Sequence, residues 1–426
     1  MTAMSRKTLL ALAGLGLLLQ LAVLPRAGST DMSDWETWAS WTLSRGLFHI
    51  YGSLDEVVKG SPNIDGGTTP ARPTYPPLTM IVLAGAAHAY RIVSPGFVVG
   101  PRLVVFIKTP LLLARVGVTF LIWFIVRRRG GSEATAGRAA LWYWLNPALI
   151  LNGPWLGYLD PLFEVAGVAS VAAATVRRPA IAGACLACAM LFKPQGVFFA
   201  IPLALMLRSD RAAFRRAALS AAAVGIAIVA PFLILGSPAA MVVAIGAGSL
   251  LQDLLCGQAL NLWWIVSAVG KAHASAMAWL VVDPDIVRIS TFRDLIGWDP
   301  RVATGLAIAA ALLYAWRRAR NCRDAAAPFA LGAICAHIVF SIGTNAHENH
   351  LAPAVVLALL AAALQPRYWR VTAGLSVMLF INMFVFEGIG QDGPVMAFQR
   401  ASVLLAIAGV GVFVWHCREF IALTRN

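Results

Sequence analysis

The chain has 426 residues, of which 59% are hydrophobic and 13% are charged. Soluble globular proteins carry about 25% charged residues, so this composition excludes an ordinary water-soluble fold. The net charge of +14 does not indicate a nucleic-acid-binding protein, because the basic residues are spread over many short segments and form no single solvated domain.

Apolar segments recur along the whole chain and predict an all-α fold, a polytopic bundle of transmembrane helices. They are 8–24, 103–126, 138–152, 161–176, 179–192, 195–207, 215–235, 302–316, 326–342, 351–364, 371–386 and 398–416. Several are shorter than the roughly 20 residues that an isolated span needs, so we expect tilted helices or flanking residues to complete the crossing. The pattern predicts a single integral membrane domain, 1–426, with about twelve crossings.

Short arginine clusters alternate with acidic or histidine-containing connections. By the positive-inside rule, Arg6 and Lys7 are cytoplasmic, and every second connection that follows is basic. About twelve crossings then return the C-terminus to the cytoplasm. Residues 76–93 are the exception, because they either lie along the outer surface or belong to an extra pair of crossings, which gives about fourteen.

The first apolar segment, 8–24, is interpreted as an uncleaved helix, because no convincing small-residue cleavage site follows it. The chain has five lysines against 29 arginines, a bias typical of GC-rich bacterial genomes. We therefore expect the bacterial inner membrane, with both termini cytoplasmic.

Single-cysteine labelling tests this orientation. In a variant without the six native cysteines, Ser61→Cys and Ser237→Cys are expected to react with a membrane-impermeant thiol reagent in intact cells or spheroplasts. Ser132→Cys is expected to stay unlabelled, because it follows the arginine cluster at 127–129. The reverse pattern at either outer loop contradicts the topology.

Two connections are long, and both are predicted on the non-cytoplasmic side, at 25–75 and 236–300. The first contains tryptophans at helical spacing, which favours an amphipathic helix whose indoles lie at headgroup level. These are Trp35, Trp38 and Trp41. An interfacial helix leaves the carboxylates between them, Asp34 and Glu36, unexplained.

The unusual polar side chains fall on the same predicted outer side. They are Asp34, Glu36, Tyr75, Asp160, Lys193, Gln258, Asn261, His347, Glu348 and His350. Ionisable groups at membrane depth are costly and usually mark a working site. Their shared side predicts one site on the outer face.

Six short motifs resemble, in chain order, those of the GT-C membrane glycosyltransferases. The most similar branch is that of the lipid-phosphate-glucose-dependent glucosyltransferases of N-glycan precursor assembly and their bacterial polyprenyl-phosphate-sugar-dependent relatives. Each motif alone occurs by chance in a chain of this length, whereas six in the family's order are specific for the superfamily. They are Asp34-Trp35-Glu36, Tyr75-Pro76-Pro77-Leu78-Thr79, Asn146-Pro147-Ala148 with Gly157 to Asp160, Phe192-Lys193-Pro194-Gln195, Asn261-Leu262-Trp263 and His347-Glu348-Asn349.

The resemblance implies an inverting transferase that moves a hexose, such as glucose or mannose, from a polyprenyl-phosphate-linked sugar. The implied acceptor is a lipid-linked or cell-envelope glycan on the outer face of the membrane. The expected partners are this donor, the acceptor and membrane lipid, with no nucleic acid, no cofactor and no metal.

The transfer chemistry assigns roles to the motif residues. A base must take the proton of the acceptor hydroxyl, and hydrogen-bond donors must stabilise the departing phosphate. Asp34 is the predicted base. Asn349 stands where the family has lysine or arginine, so Lys193, His347 or His350 is expected to supply the positive charge. The predicted substrate-binding residues are Glu36, Tyr75, Asp160, Lys193, Gln195, Asn261, His347, Glu348 and His350.

Structural interpretations stay open for several of these residues. Asp34 can cap the helix that contains the tryptophans, and Asp160 or Asn261 can mark a helix start. Lys193 can extend its ammonium group to the membrane interface. Tyr75 can belong to a proline-rich break that only ends the loop.

Three other functions compete with a metal-independent transferase. A transporter or lipid carrier also places ionisable groups in a helical bundle, but here they cluster at one face and no paired broken helices are visible. A metal site at His347, Glu348 and His350 has HExH spacing, whereas HExxH puts two histidines on one helical face. A non-catalytic assembly partner is the third alternative, and it requires that Asp34 be dispensable.

Overall fold

The structure is a computed structural model that describes residues 6–61, 71–247, 253–272, 288–388 and 401–425. These residues form helices and connecting turns, with one isolated antiparallel bridge between Ser61 and Ala71. They divide into two compact units, one up to residue 247 and the other from residue 253 onward. The single membrane domain, 1–426, stays a prediction from the sequence.

The first unit is built from α-helices joined mostly by short turns. Their bounds are α1 Arg6–Val23, α2 Met32–Ser44, α3 Leu54–Lys59, α4 Pro77–Val93, α5 Pro101–Arg128, α6 Glu133–Leu145, α7 Pro147–Ile150, α8 Asp160–Thr175, α9 Pro179–Phe192, α10 Ala200–Leu207, α11 Arg211–Leu235 and α12 Pro238–Ala247. A π-helical turn follows α7, and a 3₁₀ segment follows α9. They span Leu151–Trp155 and Pro194–Phe199.

The second unit is also helical in its described part. Its helices are α13 Leu262–Ala272, α14 Ile289–Ile296, α15 Pro300–Ala319, α16 Ala327–Ile342, α17 Ala352–Leu364, α18 Tyr368–Glu387 and α19 Ser402–Leu423. The second predicted outer loop, 236–300, thus contains α12, α13 and α14, and its residues 248–252 and 273–287 lie outside the described part.

Four described helices are long and apolar enough to cross a membrane alone, namely α5, α11, α18 and α19. A fifth candidate span consists of α7 with its π turn followed by α8, bent by 118° at the break. Further apolar helices, such as α9 and α16, have 10–17 residues. The all-α class is confirmed for the described residues, whereas about twelve crossings stays a prediction that requires the shorter helices to span as well.

Proline fixes where the helices that carry the site begin and end. α4 begins at Pro77, two residues after Tyr75, and α8 begins at Asp160 with proline next. Proline suits a first helical turn because its missing N–H is not needed there. α9 ends before Lys193, which is extended (φ −155°, ψ 140°) because proline follows it. Three predicted site residues therefore lie at helix ends.

The predicted helix of the first outer loop is α2, and its tryptophans are mostly inside the unit. Trp35 and Trp38 are each 1% exposed and pack edge to face with ring centroids 4.9 Å apart. They join a core that includes Met80 of α4 and Ile107 of α5. The two indoles therefore lie in the interior of the unit, because helical spacing fits a face buried in protein as well as an interfacial one. Their position at headgroup level stays a prediction.

The second unit has its core around α16 and α17, whose apolar side chains are almost all buried. His337 lies in this core and its Nδ1 is 3.0 Å from Nδ1 of His416 on α19. One imidazole donates to the other, so His337 is a satisfied histidine of the helical bundle.

Candidate active site

A buried ion pair joins two of the predicted site residues in the first unit. Lys193 Nζ lies 2.5 Å from Asp160 Oδ1, and the two side chains are 6% and 1% exposed. The other carboxylate oxygen, Oδ2, accepts a hydrogen bond of 3.1 Å from Asn152 Nδ2 in the π turn. Lys193 therefore does not extend to the interface, and Asp160 is more than a helix start.

Tyr75 lies against this pair. Lys193 Nζ is 5.7 Å from the centroid of the Tyr75 ring, and the ammonium also hydrogen-bonds to the phenol. Burial is the main cause that raises the pKa of Tyr75, and Lys193 only partly opposes it. The phenol is therefore neutral at physiological pH and contributes a hydroxyl group to the site.

A direct hydrogen bond connects two of the sequence motifs, and a second one holds Tyr75. Thr79 Oγ1, one turn into α4, donates to the carbonyl of Phe192 at 2.6 Å. The carbonyl of Tyr75 accepts from the hydroxyl of Tyr51 at 2.7 Å. The start of α4 and the end of α9 are thus fixed to each other, which explains how residues more than a hundred positions apart place Tyr75 beside Lys193.

Asp31 belongs to the same cluster, although the sequence prediction did not include it. Its carboxyl interacts electrostatically with Lys193, and with Asp160 as a like charge. The residue as a whole is half-buried, but its carboxyl group is enclosed by protein. This burial is the main cause that raises the pKa of Asp31. The positive charge of Lys193 lowers this pKa, and the negative charge of Asp160 raises it. The signal that could have found Asp31 is its position three residues before Asp34, which puts both carboxyls on one helical face.

The other carboxylates of the first loop have different positions. Asp34 is the third residue of α2, and Asp31 occupies the N-cap position, so Asp34 is not the cap. Glu36 is buried and interacts electrostatically with Lys108 of α5. Lys108 Nζ also donates to the carbonyl of Arg26 at 2.7 Å. Glu36 therefore compensates a buried cation within the core of the unit.

Two glycines allow the first loop to approach the start of α8. The N–H of Ser29 donates to the carbonyl of Leu156 at 2.7 Å. Gly28 and Gly157 have φ values of +96° and +80°, and a Cβ on Gly157 would overlap the Met32 side chain. Only glycine fits such a backbone without strain, and this close contact brings the Asp31 segment towards Asp160.

In the second unit, the predicted histidine motif forms the turn between α16 and α17. The N–H of His347 donates to Nδ1 of His350 at 3.2 Å, and their ring centroids are 5.2 Å apart. In the neutral imidazole of His350, the proton therefore lies on Nε2, which can donate to an oxyanion. His347 Nδ1 is 3.9 Å from Glu348 Oε2, so Glu348 can orient a protonated His347.

Asn382 holds this turn in place by two hydrogen bonds. Asn382 Nδ2 donates to the carbonyl of Glu348 at 2.5 Å, and Asn382 Oδ1 accepts from the N–H of Leu260 at 2.7 Å. A Cβ on Gly257 would lie 3.0 Å from the His347 ring, so glycine permits the close approach. Asn349 is 2% exposed, and a neutral amide avoids the cost of a buried charge at that position.

Asn261 and Gln195 are the two remaining predicted residues. Asn261 Oδ1 accepts from the N–H groups of Trp263 and Trp264 at 3.0 and 3.2 Å, and its Nδ2 donates to the carbonyl of Phe340 at 3.0 Å. It therefore caps α13 and ties this helix to α16. Gln195 lies in the 3₁₀ segment that follows Lys193.

The predicted site residues are thus divided between the two units. The first unit holds Asp34, Glu36, Tyr75, Asp160, Lys193 and Gln195, and the second holds Asn261, His347, Glu348 and His350. Across the part of the chain that the structure describes, no group of three or more His, Cys, Asp or Glu side chains is arranged to hold a metal ion.

Comparisons with known proteins identify the fold. Neither a protein-family model nor a curated protein sequence matches the chain. Among solved structures, it is similar to the crystal structure of ArnT from Cupriavidus metallidurans bound to undecaprenyl phosphate. The TM-score is 0.50 with 15% sequence identity, over 97% of this chain and 76% of that chain. The chain has a GT-C fold.

The likeness to ArnT confirms the GT-C architecture that the six motifs predict. At 15% identity, it establishes the fold and leaves the chemistry to the residues themselves. A fold of this kind supports different activities through different sites. The buried cluster of Asp31, Tyr75, Asp160 and Lys193 is the feature from which a function for this protein can be inferred.

Proposed function

We propose that this GT-C protein is a glycosyltransferase that moves a hexose from a polyprenyl-phosphate-linked sugar to a lipid-linked or cell-envelope glycan. The reaction takes place on the outer face of the bacterial inner membrane. The observation that carries the proposal is the Lys193–Asp160 pair with Tyr75 and Asp31 beside it. The similar ArnT structure holds undecaprenyl phosphate, which supports a polyprenyl phosphate as the donor lipid.

Asp31 is the base that the geometry favours. The acceptor hydroxyl attacks the anomeric carbon while its proton passes to the Asp31 carboxylate, and the bond to the phosphate oxygen breaks with inversion. The phosphate leaves with the bonding electron pair. A general base works best with a pKa near the operating pH, and burial moves the pKa of Asp31 upward. Asp34, one helical turn further on, is the alternative base.

Lys193 is the proposed donor to the leaving phosphate. An ammonium group has three N–H donors, and two of them serve Asp160 and Tyr75. The third is available for a phosphate oxygen, where a charge-assisted hydrogen bond stabilises the negative charge that develops during transfer. Asp160 holds the ammonium in place and Tyr75 covers it.

The two histidines of the second unit are a separate candidate for phosphate or sugar recognition. The backbone donor at Nδ1 puts the proton of the neutral His350 imidazole on Nε2. His347 is 30% exposed at its side chain and lies close to Glu348. Imidazole groups can carry charge near neutral pH, which suits the binding of a phosphate without a lysine at the Asn349 position.

A transfer assay tests the proposed function. Purified protein is incubated with a synthetic polyprenyl-phosphate hexose labelled in the sugar, together with a membrane extract that contains acceptor glycans. Label is expected to move to the acceptor, and EDTA is expected to change the rate by no more than a few-fold, because the proposed base and donors need no ion.

Two outcomes contradict this expectation in different ways. Absence of transfer with every hexose, combined with movement of the donor lipid across vesicle membranes, favours the transporter or lipid carrier. If transfer is lost in EDTA and returns when a divalent ion is added, Asp34 and Glu36 are interpreted as metal ligands.

A further inference from the structure

A second polar layer lies beneath the Lys193–Asp160 pair. Glu164 follows Asp160 by four residues on α8, so the two carboxyl groups share a helical face, one turn apart. Glu164 is 1% exposed. The hydroxyl of Tyr143, from α6, donates to its Oε2 at 2.9 Å. Its other oxygen, Oε1, is buried and has no hydrogen-bond partner among the described residues.

The cationic side chains near Glu164 form their hydrogen bonds and ion pairs with other groups. The charged and titratable groups that act on it are Asp160 on its own helix, Tyr143 of α6, Arg115 of α5 and Lys193 after α9. Lys193 is committed to Asp160 at 2.5 Å. No ion pair to Glu164 occurs among the described residues.

Arg115 is fully buried and hydrogen-bonds to neutral oxygens. Its Nε donates to Gln20 Oε1 at 2.6 Å, and its Nη2 donates to the carbonyls of Tyr143 and Trp144 at 3.3 and 3.2 Å. Tyr143 thus connects Arg115 with Glu164, because its carbonyl accepts from Arg115 while its hydroxyl donates to Glu164. The guanidinium acts on Glu164 through space and makes no direct contact.

An ionised Glu164 would be expensive in this position. A buried carboxylate without a paired cation pays a large desolvation cost, and such groups take up a proton instead. Asp160, one turn away, adds like-charge repulsion. A second buried acceptor beside Asp160, Asn152 Oδ1, also has no donor among the described residues. Two buried oxygen atoms near Asp160 therefore lack a hydrogen-bond donor, and a proton on the Glu164 carboxyl group adds one donor.

We propose that Glu164 carries a proton in the working enzyme and acts as a positioning residue for the Lys193–Asp160 pair. The neutral acid leaves the ammonium to Asp160 and to the donor phosphate. Loss of this proton at alkaline pH places a second negative charge beneath Asp160, draws Lys193 away from the phosphate and slows transfer. The catalytic consequence rests on the proposed glycosyl transfer, whereas the protonation itself does not.

Infrared spectroscopy tests the protonation without any substrate. At neutral pH, the difference spectrum between wild type and Glu164→Gln is expected to contain the C=O stretching band of a protonated carboxylic acid. Tyr143→Phe removes the hydrogen bond to Oε2 and is expected to shift this band. Glu133→Gln is the control, because Glu133 is 68% exposed and paired with Arg127 at 3.0 Å. Absence of the band from the wild-type difference spectrum overturns the proposal.

The pH profile tests the positioning role. Glutamine keeps the shape of Glu164 and can accept from Tyr143, so the variant is expected to fold and to transfer sugar with its alkaline limb moved to higher pH. An unchanged alkaline limb in a folded Glu164→Gln protein contradicts the positioning role. If neither the wild type nor any variant transfers sugar, the proposed function is wrong. The infrared band then still shows whether Glu164 carries a proton.

Discussion

Replacing Asp31 with Asn is expected to reduce sugar transfer by about 10²–10⁴-fold, the range for loss of a general base. The variant should stay folded, because Asn is as good an N-cap residue as Asp and the Asp31 side chain makes no cap hydrogen bond. The measurement is transfer of radiolabelled hexose from a synthetic polyprenyl phosphate, with monodispersity in detergent checked for each variant.

Asp34→Asn is the matched control for this experiment, since both carboxylates lie in the first turn region of α2. A smaller loss is expected there, because it is Asp31 that acts on Lys193. A folded and fully active Asp31→Asn protein beside an inactive Asp34→Asn protein would return the role of base to Asp34. Full activity in both variants would end the case for a base in the first loop.

The pH profile of the wild type follows from the same residue. A base must be deprotonated to work, so transfer falls as the pH drops below the pKa of the Asp31 carboxyl. Burial raises that pKa, and the acid limb of kcat/KM is therefore expected above the ordinary value for Asp of about 3.9. In Asp31→Asn, the remaining activity should lose this limb.

Replacing Lys193 with Met is expected to damage both catalysis and stability. Loss of one charged hydrogen bond to the phosphate costs about 1.5–3 kcal/mol, or roughly ten- to a hundredfold in kcat/KM. The substitution also leaves Asp160 buried without its cation, and breaking such a pair costs about 3–5 kcal/mol. Thermal unfolding in detergent and kcat/KM are the two measurements.

A double variant separates these two losses. Lys193→Met combined with Asp160→Asn removes both charges and is expected to regain much of the unfolding temperature, but not the transfer rate. His347→Ala should lower kcat/KM with little loss of stability, because His347 is partly exposed. A stable Lys193→Met protein with a near-wild-type rate would move the phosphate-binding group elsewhere.

Much of the fold could be predicted from hydrophobicity, because a long apolar run has few structural alternatives. The segments 103–126 and 215–235 fall within α5 and α11. The number of crossings could not be confirmed, since many apolar helices are shorter than a bilayer core and length alone does not decide whether they span. The positions of Trp35 and Trp38 were not predictable either, because helical spacing does not say which face meets lipid and which meets protein.

The candidate site was predicted in part. Tyr75, Asp160 and Lys193 were found from separate motifs, and the structure places them together. Asp31 was missed because the acidic motif was centred on the carboxylate three residues later. Glu164 gave no signal of its own, since its environment depends on helices distant in sequence. Contacts of this kind are set by packing, which local spacing cannot reveal.

The buried Lys193–Asp160 pair also constrains how this protein can evolve. A single substitution at either position leaves one buried charge without its partner. Each mutational path of single steps therefore passes through a destabilised protein variant. Neutral drift can then proceed at the two positions only when they change together or when a third residue takes over the lost partner. In a collection of homologous sequences, residues 160 and 193 should therefore covary, even where the sugar and the acceptor have diverged.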